Sequence, residues 1–270
     1  VARFLRSAEL MGMEDVGELG DLERAVAQTV TANASPVSQH ADYTGPFLVK
    51  LIAAWVEEAP GLLPTELRPS VYVVALPATG EHIPQVLHEP AKVRSSAMPK
   101  IPAEILPPSV KVAASYTPGL REQLRSRAEG FDHTVFRTPG GDLAESTTLS
   151  TLVVTGERII VPPLDTVLDG ITRRVALDAA QDAGIPIEVR AVAWDEVTTA
   201  DELFLTSTTH PVVPVGQLDD RSFEAPGPVT TEVADIMAKV YRGQHQLSDQ
   251  WLAPLSGGAG AEKPAARTVS

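Results

Sequence analysis

The chain has 270 residues, enough for one large domain or two modest ones with a real hydrophobic core. A formal charge of −13, with no long basic stripe to offset it, argues against a nucleic-acid partner and suits small-molecule ligands. The lack of cysteine excludes disulfides and thiolate metal sites and fits a reducing compartment. No apolar run reaches membrane-spanning length, so a cytoplasmic protein without a membrane partner is expected.

Residues 1 to 33 read as two helices. Leu5, Ala8, Leu10 and Met13 mark one apolar stripe; Leu22, Ala25, Val26, Thr29 and Val30 mark the other. Residues 34 to 46 read as loop. FLVKLIAAWV is apolar and compatible with helix or strand, and SVYVVALP after Pro64 predicts a short buried strand. The proline-rich stretch 81 to 109, with strand-like fragments, reads as a domain crossing.

From Lys111 the pattern changes. Thr117 and Pro118 predict the start of a helix through LREQLRSRAEG, with Gly130 as its stop. HTVFRT predicts a strand, PGGD a turn, and TLVV–TGER–IIVP a hairpin. GITRRVALDAAQDAG predicts a helix ended by Gly184. IEVRAVAW, LFLTST and PVVPV predict strands, and PGPVTTEVADIMAKVYRG a closing helix. SGGAGAEKPAARTVS has the composition of a disordered tail. The fold class expected is α+β in two unequal parts, residues 1–84 and 85–252, with a tail from 253 to 270.

Several residues stand out chemically. Lys111 sits among small apolar residues, where desolvation can free an amine nucleophile, or where the side chain simply snorkels to water. Glu145 follows a glycine turn. The start of GITRR leaves backbone N–H groups at Gly170, Ile171 and Thr172 for an anion such as phosphate. TSTTH, residues 206 to 210, places four hydroxyls ahead of His210 and suits a second anion cradle or a sheet edge. His210, His40, His82 and His245 lack metal-ligand spacing, so a structural His210 and no metal site are expected.

Taken in order, a lysine with a tyrosine five residues on, a glutamate after a GG turn, LDGITR, ADELFLTSTT…PV and PGPVT resemble the fold-type IV pyridoxal-phosphate enzymes. That family includes branched-chain aminotransferases, D-amino-acid aminotransferases and aminodeoxychorismate lyases. The likeness runs from Val1 to about Leu252, and KVAASY and GQHQLSDQWL look most like the branched-chain branch. The resemblance implies pyridoxal 5′-phosphate as cofactor, with Lys111 forming the Schiff base and moving the proton. It implies that Tyr116 bonds the phenolic oxygen, Glu145 faces the pyridine nitrogen and Leu168 packs on the ring. It further implies that Ile171, Thr172, Ser207 and Thr208 cradle the phosphate. Transamination of a branched-chain-like amino acid to its 2-oxo acid, in a homodimer, is the expected function.

Three departures from the family qualify this expectation. VARFLRSAELMGM resembles a stretch that relatives reach after several strands, one carrying a phosphate-binding arginine, so a small domain truncated at its N-terminus is expected. In YTGP, Gly45 stands where relatives have an arginine that receives a substrate carboxylate, which counts against glutamate and 2-oxoglutarate. AAS replaces GGN before Tyr116, and Ser150 stands where asparagine is common; both are compatible with a working site. The alternatives are a lyase of the aminodeoxychorismate type, disfavoured by the Lys111–Tyr116 spacing, and a truncated non-catalytic relative.

Overall fold

A computed structural model describes residues 1–34, 45–56, 64–78 and 85–255. Most of the loop read at 34–46, His40, His82, the 79–84 stretch and residues 256–270 of the tail therefore lie outside the described residues. The chain divides into two compact units, Val1–Gly80 with Val240–Ser270, and Glu81–Lys239.

In the first unit, α1 spans Ala2–Leu10 and α2 spans Leu19–Asn33. The α2 stripe is seen: Leu22 is buried and Ala25, Val26, Thr29 and Val30 are half-buried. The α1 stripe is shorter than expected, because the helix stops at Leu10, which is exposed, and Met13 lies beyond its end. FLVKLIAAWV resolves as strand: β1 (Phe47–Ala54) pairs antiparallel with β2 (Ser70–Pro77), from Phe47 opposite Pro77 to Ala54 opposite Ser70. Partner pairing decides what an apolar run cannot, since such a run suits either state. The α2 helix packs on both strands.

The second unit is built on a nine-stranded sheet. Its elements are β3 (Ala91–Ser95), α3 (Thr117–Ala128), β4 (His133–Arg137), β5 (Leu143–Ser146), β6 (Ser150–Thr155), β7 (Arg158–Val161) and α4 (Ile171–Asp182). Then come β8 (Ile187–Val189), α5 (Trp194–Thr199), β9 (Glu202–Thr206), β10 (Val213–Leu218), β11 (Arg221–Ser222) and α6 (Pro228–Tyr241). The strand order is β5-β4-β3-β10-β9-β6-β7-β8, with β11 on β10. The TGER turn joins β6 to β7 through Gly156 and Glu157, both at positive φ (56° and 61°), the conformation a two-residue hairpin needs.

Val93, Val135, Leu143, Val153, Leu203 and Leu205 belong to one buried cluster. Leu152 and Phe204 alternate with those residues along β6 and β9 and are also fully buried, so these central strands are covered on both faces. The helix α4 contributes Val175, Ala176, Ala179 and Ala180 to the interior and packs against β8 and β9.

IEVRAVAW is a strand only at Ile187–Val189, and Trp194 begins α5 instead. The Glu196 carboxylate accepts from Ala193 N at 3.1 Å and satisfies an N–H at that helix's start, a local capping contact that the β-branched residues of WDEVTT hide.

The PGPVT segment has a tight steric reason. Glu202, at the start of β9 and 5 % exposed, accepts from Val229 N at 2.9 Å and Thr230 N at 2.8 Å, which caps α6. A β-carbon on Gly227 would stand 2.1 Å from Glu202 Cδ. Gly227→Ala should cost about 1–3 kcal/mol through overpacking. At about 2–4 °C per kcal/mol, the melting temperature followed by circular dichroism should drop by several degrees; no change would mean that this contact is readily relaxed.

Candidate active site

The short turn between β5 and β6 touches the elements that carry several of the candidate residues. Glu145 lies in β5 just before it, and Ser150 opens β6 just after it. Thr147 in the turn meets the start of α3: its Oγ1 donates to Gly119 O at 3.3 Å, and a β-carbon on Gly119 would lie 2.9 Å from Thr147 Cγ2. Ser150 meets the start of α4, since a β-carbon on Gly170 would lie 2.8 Å from Ser150 Oγ. Ser150 also pairs with Thr206 across the β6–β9 ladder, and Ser207 and Thr208 follow at once. One turn thus holds together the beginnings of two helices and the end of a central strand.

Lys111 precedes a single 3-10 turn, Ala113–Tyr116, that folds the tyrosine back on it. Lys111 Nζ donates to Tyr116 Oη at 2.6 Å and lies 5.3 Å from the ring centroid. The spacing of five is therefore a direct contact. Val110 is buried but Lys111 is exposed, so a phenol partner rather than burial distinguishes this amine within the chain.

Glu145 is fixed by two donors. Leu168 N donates to Oε1 at 3.2 Å and to Oε2 at 3.3 Å. Lys100 forms an ion pair with Oε1, and its Nζ also donates to Thr166 O at 3.1 Å. Arg173, in the first turn of α4, is 4 % exposed and donates to Pro162 O at 2.9 Å. Burial lowers the proton affinity of that guanidinium, and the charges of Asp169 and Glu145 work against the lowering.

Gly170 is the N-cap of α4, and no side chain caps this helix. The first N–H groups, at Ile171 and Thr172, thus present a positive helix end to the site. Thr172 is buried and Ile171 exposed. After β9 the chain closes a tight loop: Ser207 N donates to His210 O at 2.8 Å, and His210 N donates to Ser207 Oγ at 3.2 Å. Thr208 stands exposed at the loop's apex. An amine, a fixed carboxylate, a helix end without a side-chain cap and the hydroxyls that follow β9 are the chemical content of this candidate site.

A family model described as amino-transferase class IV matches residues 1–218. The chain belongs to that family. Among its curated relatives, the probable branched-chain-amino-acid aminotransferase of Thermotoga maritima is 33 % identical over 200 residues, 69 % of each chain. The probable branched-chain-amino-acid aminotransferase of Aquifex aeolicus is 29 % identical over 154 residues, which cover 56 % of this chain and 50 % of that protein. The match to the Aquifex protein thus spans half of that relative's length. The crystal structure of the branched-chain amino acid aminotransferase from Thermobaculum terrenum in its PLP form matches with a TM-score of 0.84 at 25 % identity, covering 94 % of this chain and 81 % of that one. The α+β fold-type IV architecture expected from the motifs is the one observed.

Two basic residues beside Glu145 in this candidate site were not legible in the sequence. Lys100 lies in a proline-flanked stretch without periodicity, and its carboxylate is 45 residues away. Arg173 sits next to Thr172, and its burial is the signal a helical wheel of α4 carries: it shares the inward face with Ala176 and Ala180.

Behind the 207–210 loop, the rings of His88 and His210 lie 4.9 Å apart and those of His133 and His210 6.5 Å apart. Among the described residues, no group of three or more His, Cys, Asp or Glu could hold a metal ion. Burial chiefly pushes His133 down to about 4, helped by His210, Arg127 and His88 and opposed by Asp132. Burial and His210 likewise lower His88. A folded value below the unfolded 6.5 means the unfolded chain binds the proton first. This contribution is therefore complete above about pH 6.5 and is lost as pH falls toward 4, by roughly 1–3 kcal/mol. Urea unfolding at pH 7 and pH 4.5 should show that loss, and His133→Phe should flatten it; equal slopes in both proteins would refute the assignment.

Proposed function

We propose that this chain catalyses pyridoxal-phosphate-dependent transamination, taking a branched-chain-like amino acid to its 2-oxo acid and passing the amino group to a second 2-oxo acid. The observation that carries this reading is one turn whose Thr147 meets the start of α3, the helix that follows the Lys111–Tyr116 pair, and which lies between Glu145 and Ser150, the residue that meets the start of the uncapped α4. The donor set fits the cofactor group by group: an amine for an aldehyde, a carboxylate for a ring N–H, and a helix end with hydroxyls for a phosphate. The names of the relatives, and the cofactor-bound form of the Thermobaculum enzyme, point the same way.

When bound, the cofactor supplies an aldehyde and a conjugated ring that accepts the electrons of the substrate's Cα–H bond. Lys111 would hold the cofactor covalently, and its amine would serve as the base toward the substrate's α-proton. Tyr116 Oη holds the Lys111 amine by their 2.6 Å hydrogen bond and offers its proton to the cofactor's phenolic oxygen. Glu145, fixed by Leu168 N, holds the proton on the ring nitrogen. Leu168 covers the ring face. Ile171 and Thr172 bind phosphate through backbone N–H groups, and the hydroxyls of Ser207 and Thr208 complete the cradle.

The YTGP motif, with Gly45 where relatives carry an arginine, favours monocarboxylic partners. A homodimer in the cytoplasm belongs to this reading.

The test is to load the purified chain with pyridoxal phosphate, record its visible spectrum and add L-leucine, L-valine or L-glutamate in turn. Loss of the bound cofactor's visible band, with one equivalent of 2-oxo acid formed, is expected for leucine or valine. A bound cofactor that no amino acid discharges would sink the transamination reading.

A further inference from the structure

We infer that Lys100 is a positioning residue for the cofactor: by holding Oε1 of Glu145 it reserves Oε2 for the pyridine nitrogen. The inference rests on the reading that Glu145 faces that nitrogen.

Lys100 is held from both sides. Its backbone N donates to Arg137 O at 2.8 Å, next to the end of β4, and its Nζ bonds Thr166 O at 3.1 Å as well as Glu145. Ordering a long lysine side chain is entropically costly, and exposed ion pairs seldom offset it. Here the two side chains are only 20 % and 14 % exposed, so the pair is drier than a surface one and its geometry is better defined.

The two carboxylate oxygens are not equivalent. Oε1 accepts both the Lys100 ammonium and Leu168 N, whereas the bond recorded at Oε2 is the longer one from Leu168 N at 3.3 Å. Oε2 keeps acceptor capacity for a further donor. Thr166 O and Leu168 N lie two residues apart on the loop that leads into α4. The lysine therefore ties the carboxylate to the same loop that delivers the phosphate-binding helix end. If the carboxylate rotated, the ring and phosphate contacts would lose their common frame.

A role through the ring nitrogen makes a prediction that a general structural role does not. Binding of pyridoxal phosphate, followed by quenching of tryptophan fluorescence, should weaken about tenfold in Lys100→Met, the scale of one charge-assisted contact. Lys100→Arg should restore most of that affinity. The analogue with carbon in place of the ring nitrogen offers no N–H to Glu145, so Lys100→Met should change its affinity by less than about twofold. In a Glu145→Gln background, Lys100→Met should likewise cost nothing further. Equal losses for both ligands, no loss for either, or full additivity with Glu145→Gln would overturn the inference while leaving the proposed function standing. A wild-type chain that binds neither ligand would overturn both. Circular dichroism of each variant, with Lys100→Gln as a second neutral substitution, separates misfolding from lost positioning.

Discussion

Lys111→Ala should lower turnover by at least about a thousandfold under the proposed function, because two tasks would fall on one amine. Proton transfer by a positioned base contributes about 10²–10⁴ in rate. Covalent attachment through the same nitrogen would hold the cofactor in register, an advantage of the proximity kind. The variant should fold as the wild type does. Lys111 is exposed, its truncation opens no cavity, and surface changes of this sort cost within about 0.5 kcal/mol. Borohydride treatment followed by mass spectrometry should find the cofactor on the Lys111 peptide of the wild type and nowhere in the variant. Small primary amines added to the assay should restore part of the rate. Undiminished turnover in Lys111→Ala would place the chemistry on another residue. Tyr116→Phe should do far less, since it removes one hydrogen bond to an amine that remains.

Glu145→Gln should reduce kcat about 10²–10³-fold, the usual consequence of deleting one preorganised electrostatic contact at a reacting group. Glutamine keeps the volume and can still accept from Leu168 N, so shape is not what is lost. Charge is. The substitution also leaves the Lys100 ammonium in its partly buried place without the Glu145 charge, and removes one of the negative charges acting on the buried Arg173. Removing one member of a hydrogen-bonded charged contact costs roughly 1–3 kcal/mol of stability. Turnover and thermal melting measured on the same preparation should therefore both fall, with turnover falling much further. Stability that falls while turnover stays within threefold would assign Glu145 to the scaffold alone.

The local parts of the fold were legible because their causes are local. Pro118 near the start of α3, Gly184 after α4 and the TGER hairpin all act through backbone geometry within a few residues. FLVKLIAAWV was not settled, since its state depends on pairing with a strand some twenty residues on. The Trp194 helix was missed because a glutamate reaching back to Ala193 N outweighs the β-branched residues of WDEVTT.

In the site, the Lys111–Tyr116 contact could be seen as a spacing, and the α4 terminus as a glycine before a helical pattern. Their roles came from the order of motifs, not from any periodicity. The contacts that assemble the site, Thr147 with Gly119, Ser150 with Gly170 and Lys100 with Glu145, join residues with no local pattern in common. They exist only once the sheet has formed, and nothing in a window of neighbouring residues encodes them.

The β5–β6 turn has a consequence for anyone redesigning this protein. Thr147 and Ser150 are keystones shared by α3, α4 and β9. A bulkier residue at Ser150 would push on the α4 terminus and on the Thr206 edge together, so one altered codon would disturb parts of the site that look independent. Libraries aimed at new amino acids should hold these two positions constant and vary the rim around them.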